Sequence, residues 1–149
     1  MGRALLCLLL MVVTSGCCHV AVRYQAFKEL PLAEQIDAWK SINREMSGIC
    51  HIDSPSYLFR IADHGYGAAN AMVPLLKERD INFPIRDVIY VLQAVQNRGC
   101  NLREHESVEI LKRLMDSEAD PRLREQIDGA LRHIREFNAD AKIRCPGEV

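Results

Sequence analysis

Cysteines are the residues of this 149-residue chain whose number and spacing bear most directly on its chemistry. A thiol can be acylated, bind a metal, act as a nucleophile or form a disulfide, and the cellular compartment decides between these fates. The chain has six cysteines, namely Cys7, Cys17, Cys18, Cys50, Cys100 and Cys145. Their chemistry therefore depends on where the protein resides, and the first residues of the chain address that question.

Residues 1–16, MGRALLCLLLMVVTSG, have the order of a secretory signal peptide. A basic start is followed by an apolar run from Ala4 to Val13 and then by small residues. The run is shorter than the roughly 20 residues that a membrane-spanning helix needs. We expect cleavage after Gly16, which removes Cys7 and exports the remaining chain to an oxidising compartment.

The boundary Thr14-Ser15-Gly16-Cys17 resembles the lipobox of bacterial lipoproteins, in which the leader is cut before a cysteine that becomes acylated. The resemblance implies lipidation of Cys17 and a membrane-anchored protein of the cell envelope, either periplasmic or in the outer membrane. Thr14 stands where that family favours an aliphatic residue. An ordinary cleaved leader is therefore the alternative, and it leaves a secreted or soluble periplasmic protein.

Few other residues have the spacing of a reactive site. Cys50, His51 and Asp53 lie close together and suggest an alternative function, a periplasmic metal-binding or thiol-active protein. The five histidines show no HExxH or His-Cys spacing of a zinc site. No Ser or Cys has the setting of a catalytic nucleophile, such as GxSxG. We predict no enzyme activity, no catalytic residue, no cofactor and no metal.

The charge balance argues against nucleic acid as a partner. The chain has a formal net charge of -1 and no basic stripe that would neutralise phosphates. Its apolar content of 48% is enough for one modest core.

The elements that position these residues are predicted to be helices arranged in repeats. Two segments, 71–95 and 109–134, match when they are offset by 38 positions. Each contains two apolar stripes at helical spacing with a short polar break between them, which predicts a helical hairpin. Repetition at a period of 20 to 50 residues is typical of solenoids and arrays.

Local signals place the helix ends. Pro31 is suited to the first turn of the first helix, and Ser54-Pro55 opens the second. Asn101 is predicted to cap the fifth helix, and Asp120-Pro121 to cap and open the sixth. We therefore divide the chain into a signal peptide (1–16), a tether without clear period (17–30), a helical domain (31–138) and a C-terminal tail (139–149).

The helical stripes also predict the core. Trp39 falls on the inner face of the first helix. The residues predicted to join the last two hairpins in the core are Ile89, Leu92, Leu111, Ile127 and Leu131.

The last helix carries a resemblance to a known repeat. Asp120-Pro121-Arg122-Leu123-Arg124, followed by Ile127, Ala130-Leu131 and Ile134, resembles the second helix of HEAT-type repeats. The resemblance implies an all-α fold, namely a short α-solenoid of about three HEAT-like hairpins whose second helices line a concave face. It also implies a non-catalytic interaction or scaffolding module with an unidentified protein partner. A structural envelope protein that binds its own copies is a further alternative.

Arginines recur at one position of this pattern. Arg86 and Arg124 both follow an aliphatic residue near a helix start, at the position where the family has Arg. We expect each to form a structural ion pair or a helix cap.

Parity of the helix connections predicts the disulfide. If six helices alternate in direction, Cys50 lies at one end of the domain, while Cys100 and Cys145 lie at the other. A helix of about 14 residues is roughly 20 Å long, whereas bridged Cα atoms lie within about 7 Å of each other. The arrangement disfavours a bridge between Cys50 and Cys100 and predicts one between Cys100 and Cys145.

Overall fold

The computed structural model describes residues 24–45, 54–79, 83–137 and 145–146, and these residues contain helices and no strand. The all-α prediction is confirmed for this part of the chain. After a short helical stretch at residues 24–28, six longer helices follow in order. They are α1 (Leu32–Glu45), α2 (Ser54–Ala62), α3 (Tyr66–Glu78), α4 (Ile85–Asn97), α5 (Glu106–Ser117) and α6 (Pro121–Glu136).

Most helix starts follow the sequence signals. Asp120 accepts a hydrogen bond from the Arg122 amide at 2.9 Å, and Pro121 occupies the first turn of α6. This arrangement satisfies one of the free amides that every helix start presents. Pro84 directly precedes α4.

The predicted cap of α5 is wrong. The helix begins at Glu106, and its N-cap is His105, whose side chain accepts from the Ser107 amide. Asn101 instead accepts from the Arg103 amide within the connection from α4. The turn at residues 103 and 104 separates Asn101 from the helix start, so its side chain caps this connection rather than α5.

Alternate helices lie side by side. Helix α3 packs against α1, α4 and α5, and helix α4 packs against α2, α3 and α6. The ends of α4 and α6 lie close together, and Asn97 Oδ1 is 2.9 Å from His133 Nε2. The start of α3 meets the connection after α4, where the Tyr66 hydroxyl accepts from the Asn101 amide at 3.0 Å. The α2–α3 turn, the α4–α5 connection and the end of α6 therefore share one end of the molecule, which we call the cysteine end.

The inner faces of these helices form one continuous core. Trp39 and the five aliphatic residues predicted to join the last two hairpins are all buried. This part of the prediction is confirmed, because apolar residues that recur every three or four positions fall on one face of a helix.

The packed domain extends further toward the N-terminus than the sequence indicates. We expected residues 24–30 to belong to the tether, but Phe27 is only 2% exposed. Tyr57 lies with its ring centroid 4.9 Å from that of Tyr24, 4.7 Å from that of Phe27 and 5.7 Å from that of Trp39. Aromatic rings bury large areas, so this short segment is held by its rings without a long periodic stripe.

A disulfide closes the cysteine end. Cys100 and Cys145 are bonded, with their Cα atoms 4.5 Å apart, and they are the pair that helix parity favours. The same contact brings Pro146 onto the α2–α3 turn, where a Cβ atom added to Gly65 would lie 2.4 Å from the Pro146 carbonyl oxygen. The C-terminal residues 145–146 thus touch both the middle and the first part of the domain.

Candidate functional site

Several residues singled out in the sequence lie outside the described part of the chain. These are the predicted lipidation site, Cys17, and the candidate cluster of Cys50, His51 and Asp53. Among the described residues, no group of three or more His, Cys, Asp or Glu side chains is arranged to hold a metal ion. None of the described helices combines the length and the apolar character needed to cross a membrane.

The two arginines at the repeat position make structural contacts. The Nε atom of Arg86 lies 3.4 Å from Oδ1 of Asp87, and Arg124 donates to the backbone carbonyl of Glu118. Asp87 is 7% exposed and accepts hydrogen bonds from Trp39 Nε1 at 3.1 Å and from Asn43 Nδ2 at 3.2 Å. Arg86 therefore sits beside a buried carboxylate that connects α1 to α4.

Ser107, His105 and Asn70 form a chain of contacts with the order of a nucleophile, a base and an orienting group. Ser107 Oγ lies 2.9 Å from His105 Nδ1, and His105 Nε2 lies 3.0 Å from Asn70 Oδ1. However, Ser107 is 0% exposed, and its own backbone amide also donates to Nδ1 at 3.2 Å. A buried hydroxyl against a nitrogen that already accepts a backbone bond cannot reach a substrate. The three residues cap α5 and attach it to α3.

Electrostatics at this cap favour a neutral imidazole. Burial lowers the pKa of His105, and the nearby Glu106 carboxylate offsets this only in part. Since the Ser107 amide donates to Nδ1, the ring proton resides on Nε2 and donates to Asn70. Protonation would place a second donor at Nδ1 and remove the cap.

His64 is also held neutral at the cysteine end. Burial lowers its pKa, and the Arg60 charge lowers it further, while Asp63 raises it. Its Nε2 atom is buried without a hydrogen-bond partner.

One aromatic side chain stands out on the surface. Phe59 of α2 is 43% exposed and lies 5.2 Å from the ring of Tyr90 in α4. The Arg98 guanidinium covers its ring at 5.6 Å and also pairs with Asp63 at 2.6 Å. We call Phe59, Tyr90 and Arg98 the aromatic patch. Arg98 additionally donates to the Phe59 backbone carbonyl at 2.8 Å, so the patch is held in place by hydrogen bonds at its edge.

A second surface feature is a cavity of about 160 Å³ between α5 and α6, which we call the basic groove. It is lined by Arg103, Val108, Lys112, Leu131, Ile134 and Arg135. Three lining residues are apolar and buried, and three are cationic. The groove therefore offers an apolar floor beneath a positive rim.

Neither surface was singled out from the sequence. The charges of α6 alternate in sign, as they do on a solvated face, so Arg135 gave no separate signal. Phe59 and Arg98 are 39 positions apart, and only the packing of α2 on α4 brings them together. The sequence does contain one indication of the basic groove. The pairs Val108–Lys112 and Leu131–Arg135 each place an apolar and a basic residue on one helix face, because residues four positions apart share a face.

Comparison with known proteins identifies no relative: no family model matches the chain, and neither a curated protein nor a solved structure is significantly similar to it.

Proposed function

We propose that this protein is an exported, lipid-anchored and non-catalytic interaction module of the bacterial cell envelope. Its domain is a short α-solenoid of three hairpins, namely α1–α2, α3–α4 and α5–α6. Helices α1, α3 and α5 pack side by side, and helices α2, α4 and α6 do the same. This packing supports the arrangement in hairpins. Each repeat of a solenoid contacts only its neighbours, and the stacked second helices present a continuous binding face.

The aromatic patch is the observation that carries the proposal. It lies on α2 and α4, which are second helices of adjacent hairpins. Aromatic residues and arginine are enriched at the centres of protein interfaces, where they contribute most of the binding energy. A Phe side chain that is 43% exposed yet fixed between Tyr90 and Arg98 loses little conformational entropy when a partner covers it.

The anchor follows from the sequence boundary at Cys17. Acylation there attaches the chain to a membrane, and residues 18–23 then connect the lipid to the packed segment that starts at Tyr24. The domain is thereby held close to the membrane surface, where it presents the aromatic patch to an envelope protein.

Photo-crosslinking in cells tests the interaction. A photoreactive phenylalanine analogue at position 59 should crosslink to a distinct envelope protein, which mass spectrometry identifies. The same analogue at Arg113, an exposed residue of α5, is the matched control and should give no such adduct. Adducts only with further copies of this chain would favour the structural, self-binding alternative. An absence of adducts at position 59 would contradict the proposal.

The anchor has its own test. Cys17→Ser should release the domain from the membrane fraction or leave an uncut precursor, because acylation needs the thiol. Fractionation and the intact mass of the mature protein measure this. Unchanged fractionation together with an unchanged mature mass would rule out lipidation at Cys17.

A further inference from the structure

We infer that the basic groove is a second contact site, which takes an acidic peptide segment carrying one aliphatic anchor side chain. The inference rests on the proposed function, because it names the chemistry of a partner for the same interaction module. It concerns α5 and α6, whereas the aromatic patch lies on α2 and α4.

The charges of the rim are only partly neutralised within the protein. Lys112 pairs with Glu109 at 2.6 Å. Arg103 donates to the Phe137 backbone carbonyl at 2.7 Å, and this neutral partner does not itself compensate the charge of the guanidinium. Arg135 has no ion pair or side-chain hydrogen bond in the part of the chain that the structure describes. Among the described residues, no carboxylate lines the groove, so the rim favours an anionic ligand.

The floor selects for an apolar group. Val108, Leu131 and Ile134 form it, and all three are buried residues of the core. A cavity of about 160 Å³ is close to the roughly 150 Å³ that suffices to bind benzene, so it accommodates one branched side chain. It is smaller than the about 300 to 1,000 Å³ of sites that bind cofactors or drug-sized ligands.

Together the rim and the floor specify a peptide rather than a free anion or a lipid. A phosphate ion alone would leave the apolar floor uncovered, and an acyl chain is longer than the cavity. A peptide with a Leu between acidic residues places its side chain on the floor and its carboxylates beside Arg103 and Arg135. Arg is well suited to this contact because its planar guanidinium binds carboxylates through two hydrogen bonds.

Fluorescence anisotropy tests the inference on the full-length, oxidised protein in uncharged detergent micelles. The probe is a fluorescein-labelled peptide amide of sequence Gly-Asp-Glu-Leu-Glu-Asp. A matched peptide with Ser in place of Leu should bind about tenfold more weakly, because it loses the buried side chain. Equal affinity for the two peptides would overturn the role of the floor.

Protein variants test the rim. Arg135→Glu should weaken binding of the Leu peptide at least about tenfold, because a free cation becomes an anion. Lys112→Gln should have a smaller effect, since Glu109 already neutralises that lysine. Arg132→Glu is the matched control, because Arg132 lies on the same helix, does not line the groove and pairs with Asp128. It should change the affinity less than about twofold.

The outcomes separate this inference from the proposed function. Equal losses for Arg135→Glu and Arg132→Glu would indicate general attraction to any anionic surface and would overturn the groove as a site. Failure of the wild-type protein to bind the Leu peptide, while position 59 still crosslinks to a partner, would overturn only the groove. Circular dichroism melts of each variant exclude unfolding as the cause of lost binding.

Discussion

His105 holds the start of α5 with one ring nitrogen and reaches α3 with the other. Its pKa is lowered by burial, so the folded protein resists the proton that the unfolded chain accepts near pH 6.5. The neutral cap is therefore fully present above about pH 6.5, and stability is lost as the pH falls below that value. The pKa of His64, at the same end of the molecule, is lowered as well. Acidification should therefore destabilise this end through both histidines.

We predict that the melting temperature falls when the pH is lowered from about 7.5 to 5.5, the range in which histidines titrate. His105→Asn keeps a side-chain acceptor at the cap but cannot be protonated in this range, so the fall should be smaller. Thermal denaturation followed by circular dichroism at both pH values measures the difference. An identical fall of the melting temperature in the variant would mean that the cap does not titrate. The fall would then be assigned to His64 and other groups.

Asp87 supports a second residue-scale prediction. It is a buried carboxylate with two side-chain donors and Arg86 beside it, and its removal leaves Trp39 Nε1 without this partner. A hydrogen bond to a charged group contributes about 1.5 to 3 kcal/mol. Asp87→Ala should therefore reduce the free energy of unfolding by about 2 to 3 kcal/mol. Asp128→Ala is the control, since Asp128 forms an exposed pair with Arg132, and should change it by less than about 0.5 kcal/mol. Comparable losses in denaturant titrations would argue against a special role for the buried carboxylate.

At the scale of the helices, α6 has a clear inner and outer face. Leu131 is buried between α5 and α6, whereas Arg132 is exposed. Leu131→Ala should lower the free energy of unfolding by about 2 to 5 kcal/mol, because it removes apolar contacts and leaves a cavity. Arg132→Ala should change it by less than about 0.5 kcal/mol. Urea titration of the two variants compares them, and similar midpoints would mean that the faces are assigned incorrectly.

Much of the helix arrangement could be predicted because its signals are local. Asp120-Pro121 marks the start of α6 by cap chemistry alone, and the stripe through Ile127 and Leu131 identifies its inner face. His105 was missed as a cap because histidine is not among the residues that commonly cap helices. The cap forms because burial keeps its ring neutral and able to accept a hydrogen bond.

The candidate sites could not be predicted in the same way, since each combines residues from different helices. Asp63 and Arg98 are 35 positions apart, and nothing near either of them in the sequence indicates the other. The basic groove needs the spacing between α5 and α6, which depends on how the whole core packs. Tyr24 and Phe27 lie in the predicted tether, because residues 17–30 show no clear helical period in the sequence.

For the molecule as a whole, the disulfide and the α2–α3 turn depend on each other. Gly65 has φ +57°, a conformation that glycine adopts readily and other residues rarely do. An added Cβ would also clash with Pro146, which the bridge from Cys145 holds in place. Any side chain at position 65 therefore destabilises the fold in two ways, through the backbone conformation and through the contact with Pro146.

We predict that Gly65→Ala lowers the free energy of unfolding by about 1 to 3 kcal/mol in the oxidised protein. Cys145→Ser alone should lower it by about 2 to 4 kcal/mol, because the bridge no longer restricts the unfolded chain. In the double variant the tail can move aside. Its loss of unfolding free energy should therefore be smaller than the sum of the losses in the two single variants. Urea denaturation of all four proteins measures this coupling. Strict additivity would show that the tail does not press on the turn.

The bridge also decides which part of the chain carries a mechanical load. A pull on residues 145–146, with the N-terminal side held, passes through the sulfur atoms to Cys100 and bypasses α5 and α6. Residues 101–144, which lie between the two cysteines, then carry no load while α1 to α4 are stretched. Full extension of the oxidised protein should be shorter than that of the reduced protein by about 150 Å, at roughly 3.3 to 3.6 Å per residue. Single-molecule force extension before and after reduction measures this difference, and equal lengths would mean that the bridge is absent from the protein under load.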